Sequence, residues 1–319
     1  MKRLPTLAYH RGKIVPYQQA TVSVLTHSLN YGTGCFGGIR AYFNDKEQQL
    51  FVFRPYDHFH RFLNSARLLC MDLPHSEEDL VNIVLELIRA EGYREDIYIR
   101  PLAYKADEII GVKLHDLQDE LSIVSLPFGR YVENDEGAHV TISSWRRVSD
   151  NMIPARGKIT GSYVNSAFAK TDAQRSGFDE ALVLNRDGHV SEGSAENFFM
   201  LKDGRMVTPA ISDNILEGIT RQTVITLLRD ELGFEVVERS IDRTEVYLAE
   251  EAFFCGTGVQ IAAITRIDHR PIGDGRMGPA VAELRELFFD VVRGRSPKYR
   301  HWCVPVYVRE PALSAEPAP

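Results

Sequence analysis

The stretch Asn30–Tyr42, NYGTGCFGGIRAY, narrows the possible folds more than any other part of the chain. Gly32, Gly34 and Gly37 satisfy G-x-G-x-x-G. That pattern cradles a dinucleotide only when it leaves a strand and opens a helix whose N-terminus faces the pyrophosphate. Here Ile39, Arg40, Ala41, Tyr42 and Phe43 follow, strand formers of alternating character, and then the turn signal Asn44-Asp45. With no amphipathic helix after the glycines, the dinucleotide reading fails. The glycines predict instead a strand and turn where another group approaches the backbone closely.

A length of 319 residues allows one large domain or two ordinary ones. Net charge is -7, which argues against a nucleic-acid partner, since phosphate backbones call for a basic surface. No apolar run reaches the ~20 residues that span a bilayer, and MKRLPTLAYHRGKIVPY lacks the apolar core of a signal peptide. No membrane association is expected. Cys35, Cys70, Cys255 and Cys303 are scattered, without metal-ligand spacing, so no metal site is expected. They read as reduced thiols in a cytoplasm.

The first half reads as strands and helices alternating around an open sheet. One helix is predicted from Asp57 as N-cap, and another from Ser76, where Ser76 and Asp79 form a capping box and Gly92 ends the run. DIYIRPLAYKA and ELSIVSLPFG read as strands. The polar stretch 128–138 marks an interdomain loop between a domain at 1–127 and another at 139–308. The Pro/Ala-rich end, 309–319, is expected to be disordered. In the second half, helices are predicted near 161–177 and 218–232. Strands flank the Asp187-Gly188 and Asp203-Gly204 turns and the Gly256-Thr257-Gly258 bend. GPAVAELRELFFDVVRG reads as the last helix.

Three features of that second half bear chemistry. Lys158, in IPARGKITGSY, lies among small residues before a helix, as a lysine that takes up a carbonyl requires. Glu192 and Glu196, in VSEGSAENFF, lie between apolar strands, where a carboxylate must find a partner such as a protonated ring nitrogen. Gly218, Ile219 and Thr220 open a helix, a place for an anion, and Thr257 offers a second hydroxyl at a bend. Singly, each has an ordinary reading: a solvated lysine, a strand-edge glutamate, a capping threonine. Together they match what pyridoxal phosphate requires: an amine, a carboxylate for the ring nitrogen and a phosphate cradle.

At these residues the chain resembles the fold-type IV pyridoxal-phosphate aminotransferases, and among them the branched-chain amino acid aminotransferases. The matching pieces are HSLNYGTGCFGGIRAY, HRF, YIRPL, IPARGKITGSY, SEGSAENFF, EGITRQTV, YLAEEAFFCGTGVQI and GDGRMGP, in the family's order over about 6–290. The resemblance implies an α+β fold of two domains. The smaller, N-terminal one would be an α/β sandwich, the larger, C-terminal one a domain with a barrel-like core. It implies transfer of the amino group of leucine, isoleucine or valine to 2-oxoglutarate. Lys158 would be the catalytic lysine that carries the cofactor pyridoxal 5'-phosphate. Glu192 would pair with the ring nitrogen and Tyr163 with the phenolic oxygen. Arg61, Ile219, Thr220 and Thr257 would hold the phosphate.

Tyr31, Phe36 and Gly38 would line the substrate side-chain pocket. Tyr98 and Arg100 would receive the distal carboxylate of glutamate, Thr257 and Gly258 the α-carboxylate. Phe128 and Tyr131 would belong to the interdomain lid. Homodimers or larger homo-oligomers are implied, with the loop Ala106–Leu117 completing the neighbour's pocket. Three positions depart from common relatives. Gly37 stands where an acidic residue is usual, Phe128 where many have tryptophan, and the bend reads Gly-Thr-Gly-Val-Gln rather than Gly-Thr-Ala-Ala-Glu. The Gly37 departure leaves (R)-amine activity open; a D-amino-acid transaminase, against which YIRPL argues, and an aminodeoxychorismate lyase are the other readings on the same fold.

Overall fold

The computed structural model of the chain describes residues 4–129 and 137–307. Tyr131, most of the interdomain loop and the 309–319 tail lie outside the described residues. In chain order the strands are β1 Leu7–His10, β2 Lys13–Pro16, β3 Gly34–Phe36, β4 Ile39–Asn44, β5 Gln49–Phe53, β6 Ile97–Lys105, β7 Asp119–Pro127, β8 Ala138–Arg146 and β9 Glu180–Leu184. They continue with β10 Val190–Gly193, β11 Asn197–Lys202, β12 Arg205–Thr208, β13 Val236–Glu238, β14 Glu251–Gly256, β15 Gln260–Ile267, β16 Arg270–Pro271 and β17 Cys303–Pro305. The helices are α1 His27–Tyr31, α2 Pro55–Leu68, α3 Glu77–Glu91, α4 Tyr163–Arg175, α5 Ile219–Asp230 and α6 Pro279–Val292.

Two sheets organise these elements. The first runs β17-β5-β4-β6-β7-β1-β2, with β3 also on β6, and every pairing is antiparallel. The second runs β10-β9-β8-β15-β14-β11-β12-β13 and curls into a half-barrel. This is the expected α+β fold.

Strands β4 and β5 are buried throughout, and their alternation serves two cores at once. Ile39, Ala41, Phe43, Leu50 and Val52 pack with Phe59, Phe62, Leu80, Val84, Leu87 and Ile88 of α2 and α3. Tyr42, Phe51 and Phe53 turn the other way, onto Val224, Leu228, Leu284 and Phe288 of α5 and α6. The first sheet is therefore welded to the second half of the chain. Inside the curled sheet a third core gathers Val140, Leu182, Phe198, Met200, Phe254 and Ile264.

Several local expectations hold. Ser76 caps α3 reciprocally with Asp79, and Gly92 closes it in a left-handed conformation. The N-cap of α2 is Arg54 rather than Asp57. Pro55 supplies a preset φ for the first helical position, so the helix begins earlier. Asp57 then sits in the first turn and accepts from Arg54 Nε at 2.8 Å. The C-terminal segment also has a definite place. Its strand β17 adds to the edge of β5, in register Cys303↔Phe53, and Val306 is fully buried in the first core.

Candidate active site

The opening glycines serve the segment that carries Lys158. That segment lies directly on them: Cys35 and Ile159 form a β-bridge, Phe36 N–H donates to Lys158 O at 3.0 Å, and Gly161 N–H donates to Gly32 O at 3.2 Å. Thr160 Oγ1 donates to Gly32 O at 2.8 Å. Gly32 has φ +67°, and a Cβ there would meet Gly161 Cα at 2.8 Å. The group predicted to approach this backbone closely is thus the lysine segment itself. On its other side Lys158 N–H donates to Ser65 Oγ of α2 at 3.1 Å.

Held this way, Lys158 opens into a cavity of about 520 Å³ lined from both halves of the chain. Arg61, Tyr163, Glu192, Ile219, Thr220, Thr257, Phe36, Gly38, Tyr98, Arg100, Phe128 and Gly258 all line it with Lys158. Of the residues singled out from sequence, Tyr31 is not brought there: its hydroxyl accepts from Gly111 N–H at 3.1 Å, beside His27.

The electrostatics of the cavity are unusual. Lys158 Nζ donates to Tyr163 Oη at 2.5 Å. The amine faces the cavity rather than bulk solvent. Desolvation, then the positive charges of Arg61, Arg100 and Arg147, push its pKa down from 10.5 to about 7, against the pull of Glu192. An amine so placed is neutral in a large fraction of molecules near neutral pH and can attack a carbonyl. Burial, and then the Glu192 charge, push the Tyr163 hydroxyl upward, so it stays protonated.

Glu192 is buried, and sequence reasoning missed what holds it. Arg147 Nη2 pairs with its Oε1 at 2.7 Å, while Asn197 Nδ2 and Leu216 N–H each donate to Oε2 at 3.0 Å. Burial raises its pKa, and Arg147, the Leu216 N–H, Lys158 and Arg61 oppose that rise. Glu196, its rival in the same segment, has no cation within ion-pair distance among the described residues. Desolvation and the nearby Glu180 carboxylate push it up to about 8. Asn197 lies inside the stretch SEGSAENFF and could have been found from the partner that a buried carboxylate needs. Arg147, after a different strand, gave no such signal.

The anion end is built by α5 and α2. Gly218 is the N-cap of α5 and no side chain caps it, so Ile219 and Thr220 present the helix's first N–H groups to the cavity. Arg61 reaches the same place from α2 and donates from Nη1 to Glu217 O at 3.0 Å. The mouth is aromatic and basic. Arg100 Nη2 donates to Tyr98 Oη at 2.9 Å, and its guanidinium lies 4.5 Å from the Phe36 ring centroid. Tyr98 and Phe128 rings are 5.2 Å apart.

The absent acid at position 37 has a steric counterpart. Gly37 does not line the cavity, and a Cβ there would meet Pro101 Cγ at 2.6 Å. Gly38 does line it, and a Cβ there would lie 2.3 Å from Tyr98 Oη.

A neutral-prone amine, a held carboxylate, a protonated phenol and an uncapped helix N-terminus beside a guanidinium form a donor set that fits pyridoxal phosphate. The comparisons agree. The family described as Amino-transferase class IV matches residues 34–267. A protein of Aquifex aeolicus named probable branched-chain-amino-acid aminotransferase is 48% identical over 300 residues, 94% of this chain and 96% of that one. The branched-chain aminotransferase of Thermoproteus uzoniensis, solved with norvaline, superposes with a TM-score of 0.91 at 43% identity. It covers 95% of this chain and 100% of its own. The branched-chain amino acid aminotransferase of Thermobaculum terrenum, solved in its PLP-form, also gives 0.91, at 38% identity over 96% and 99% of the two chains.

Proposed function

The chain belongs to the class IV aminotransferases, and from that premise we propose that it transaminates leucine, isoleucine and valine with 2-oxoglutarate, using pyridoxal 5'-phosphate. The observation that carries the reading is the Lys158 amine, held near pKa 7 and 2.5 Å from Tyr163 Oη, in one cavity with Glu192 and the N-terminus of α5.

When bound, pyridoxal phosphate supplies an electron sink for the pair left on the donor's Cα and a carrier for the amino group. The chain's residues do the rest. Lys158 would hold the cofactor covalently, and its amine, once free, would move the proton between the donor's Cα and C4′ of the cofactor. Glu192, fixed by Arg147, Asn197 and the Leu216 N–H, holds a proton on the ring nitrogen. Tyr163 donates to the phenolic oxygen. Ile219, Thr220, Thr257 and Arg61 hold the phosphate. Phe36 and Gly38 shape the side-chain pocket. Arg100 with Tyr98 receives the distal carboxylate of 2-oxoglutarate, which suits a guanidinium fork at the mouth. Thr257 and Gly258 take the α-carboxylate, and Phe128 lines the opening. An apolar pocket separates donors by only about 1–3 kcal/mol per methylene, so all three branched-chain acids serve.

We further propose a cytoplasmic homodimer. Val24 and Leu25 just before α1, Leu29 on it, and Ile110 and Val112 on the 106–117 loop are exposed, and His27 Nε2 ties that loop at Gly111 O, 2.8 Å away. Tyr31, on the same helix, would act with that loop in the partner's pocket. We propose the domain boundary at 128–138, with β17 pairing on β5 of the first sheet.

The test is glutamate formation from L-leucine and 2-oxoglutarate by purified protein supplied with pyridoxal phosphate. Faster turnover of D-alanine or (R)-1-phenylethylamine than of L-leucine would overturn the reading.

A further inference from the structure

Behind the wall of the cavity lies Arg40, a 2% exposed arginine for which neither the motifs nor the proposed chemistry has a use. It does not line the cavity. Strand β4 places it opposite Tyr98 of β6. Among the described residues no carboxylate pairs with it, since Asp96 is held by Arg293 at 2.8 Å. Its charge is met by carbonyl oxygens from two separate segments. Nη1 donates to Phe128 O at 3.3 Å, and Nη2 donates to Gly129 O at 2.9 Å and to Gly258 O at 3.1 Å. The guanidinium also lies 4.8 Å from the centroid of the Phe128 ring. A buried cation is costly unless its donors are satisfied, and since Arg40 Nε has no acceptor among the described residues, the three carbonyls carry the compensation.

One of those carbonyls has a consequence inside the cavity. In a planar trans peptide the C=O and the following N–H point in opposite directions. With Gly258 O drawn back to Arg40, the Val259 N–H is turned away from the guanidinium. The bend that carries it, Gly256 to Val259, lines the cavity. Among the described residues the N–H groups of Thr257, Gly258 and Val259 have no acceptor. Just beyond the bend, Gln260 has φ +62°, a left-handed conformation that a non-glycine residue keeps only when its surroundings impose it.

We propose that Arg40 is a positioning residue that aims the backbone N–H groups of the Thr257–Val259 bend at the substrate α-carboxylate and ties that bend to the first residues of the interdomain loop. This rests on the proposed function, because it presumes that a carboxylate is what the bend receives. Arg40 touches neither substrate nor cofactor. Its effect is on carboxylate recognition and is separate from the Lys158 chemistry.

The test uses cofactor-loaded protein and two unreactive ligands of one carbon skeleton, 4-methylvalerate and its uncharged amide, with affinity read by calorimetry. Arg40→Gln should bind 4-methylvalerate about tenfold more weakly than the parent, the loss expected when hydrogen bonds to a charged group are misaligned. Affinity for the amide should stay within about twofold. The absorbance of the bound cofactor should not change. Arg40→Lys keeps the buried charge and guards against misfolding of the glutamine variant; it should weaken 4-methylvalerate binding in the same sense. Unchanged 4-methylvalerate affinity in a folded Arg40→Gln or Arg40→Lys protein overturns the proposal. An equal loss for acid and amide also overturns it. If the parent itself does not prefer the acid to the amide, the functional reading fails first and takes this inference with it.

Discussion

The two ends of the cavity are built differently. At the inner end Glu192 is sealed by an arginine, an amide and a backbone N–H, Lys158 is backed by Ser65 and Tyr163, and Arg61 reaches across to Glu217. At the mouth Arg100 is exposed, Tyr98 and Phe128 are half-buried, and the bend's N–H groups have no acceptor among the described residues. The inner end is organised in advance around one unchanging group, as electrostatic preorganisation requires. The mouth leaves its polar groups for ligands that change between the two halves of the reaction. Changes at the inner end should therefore lower kcat, and changes at the mouth should raise KM selectively.

The largest effect falls on Lys158. Lys158→Ala should lower glutamate formation about 10⁴-fold or more while phosphate-end binding survives, seen as cofactor retained through gel filtration. A parent-like rate would break the comparison at its root. Next comes Glu192→Gln, which keeps shape but not charge. We expect kcat to fall about 10²–10³-fold with the KM for L-leucine little changed. Arg61→Gln should weaken cofactor affinity about 10- to 100-fold, measured by reconstitution of cofactor-free protein, with kcat near the parent's at saturating cofactor. At the mouth, Arg100→Ala should raise KM for 2-oxoglutarate about tenfold and leave that for L-leucine within about twofold. Equal rises for both substrates would show that the arginine does not read the distal carboxylate.

The smallest effect is one of stability. Burial holds Lys158 at about 7 against its ordinary 10.5. Between those values the unfolded chain binds more protons than the folded one, so in the cofactor-free protein stability rises with pH. The cost of the lysine is full below pH 7 and has faded by pH 10.5. Cofactor-free Lys158→Met should therefore be more stable than the parent at pH below 7, and the gap should narrow as pH rises to 10.5. A gap that does not change with pH would show that the amine is not desolvated.

The contrast between the two ends also explains what could be read from the sequence. Lys158, Glu192 and the α5 N-terminus lie in short strings whose residue types together suggest the chemistry, while Tyr163 entered only through the resemblance. The glycine stretch was legible as a place of close approach, but not as the bed of the Lys158 segment, because that contact joins Gly32 to Gly161. Arg147 and Arg40 were invisible for the same reason. Each owes its role to partners on other strands, Glu192 for one and Phe128, Gly129 and Gly258 for the other. Trp302, Val304 and Val306 make the segment before the tail apolar, yet only the pairing of β17 with β5 shows what it covers. Gly37 drew attention as a missing acid, whereas the structure places Pro101 where its side chain would go.

The most direct test of the central claim is the half-reaction, followed by visible absorbance of the cofactor-loaded protein with no acceptor present. The account predicts a band from the lysine-held cofactor that L-leucine bleaches in proportion to active sites and that D-alanine and (R)-1-phenylethylamine leave largely intact. No such band, or a band bleached by D-alanine or the amine but not by L-leucine, would contradict it.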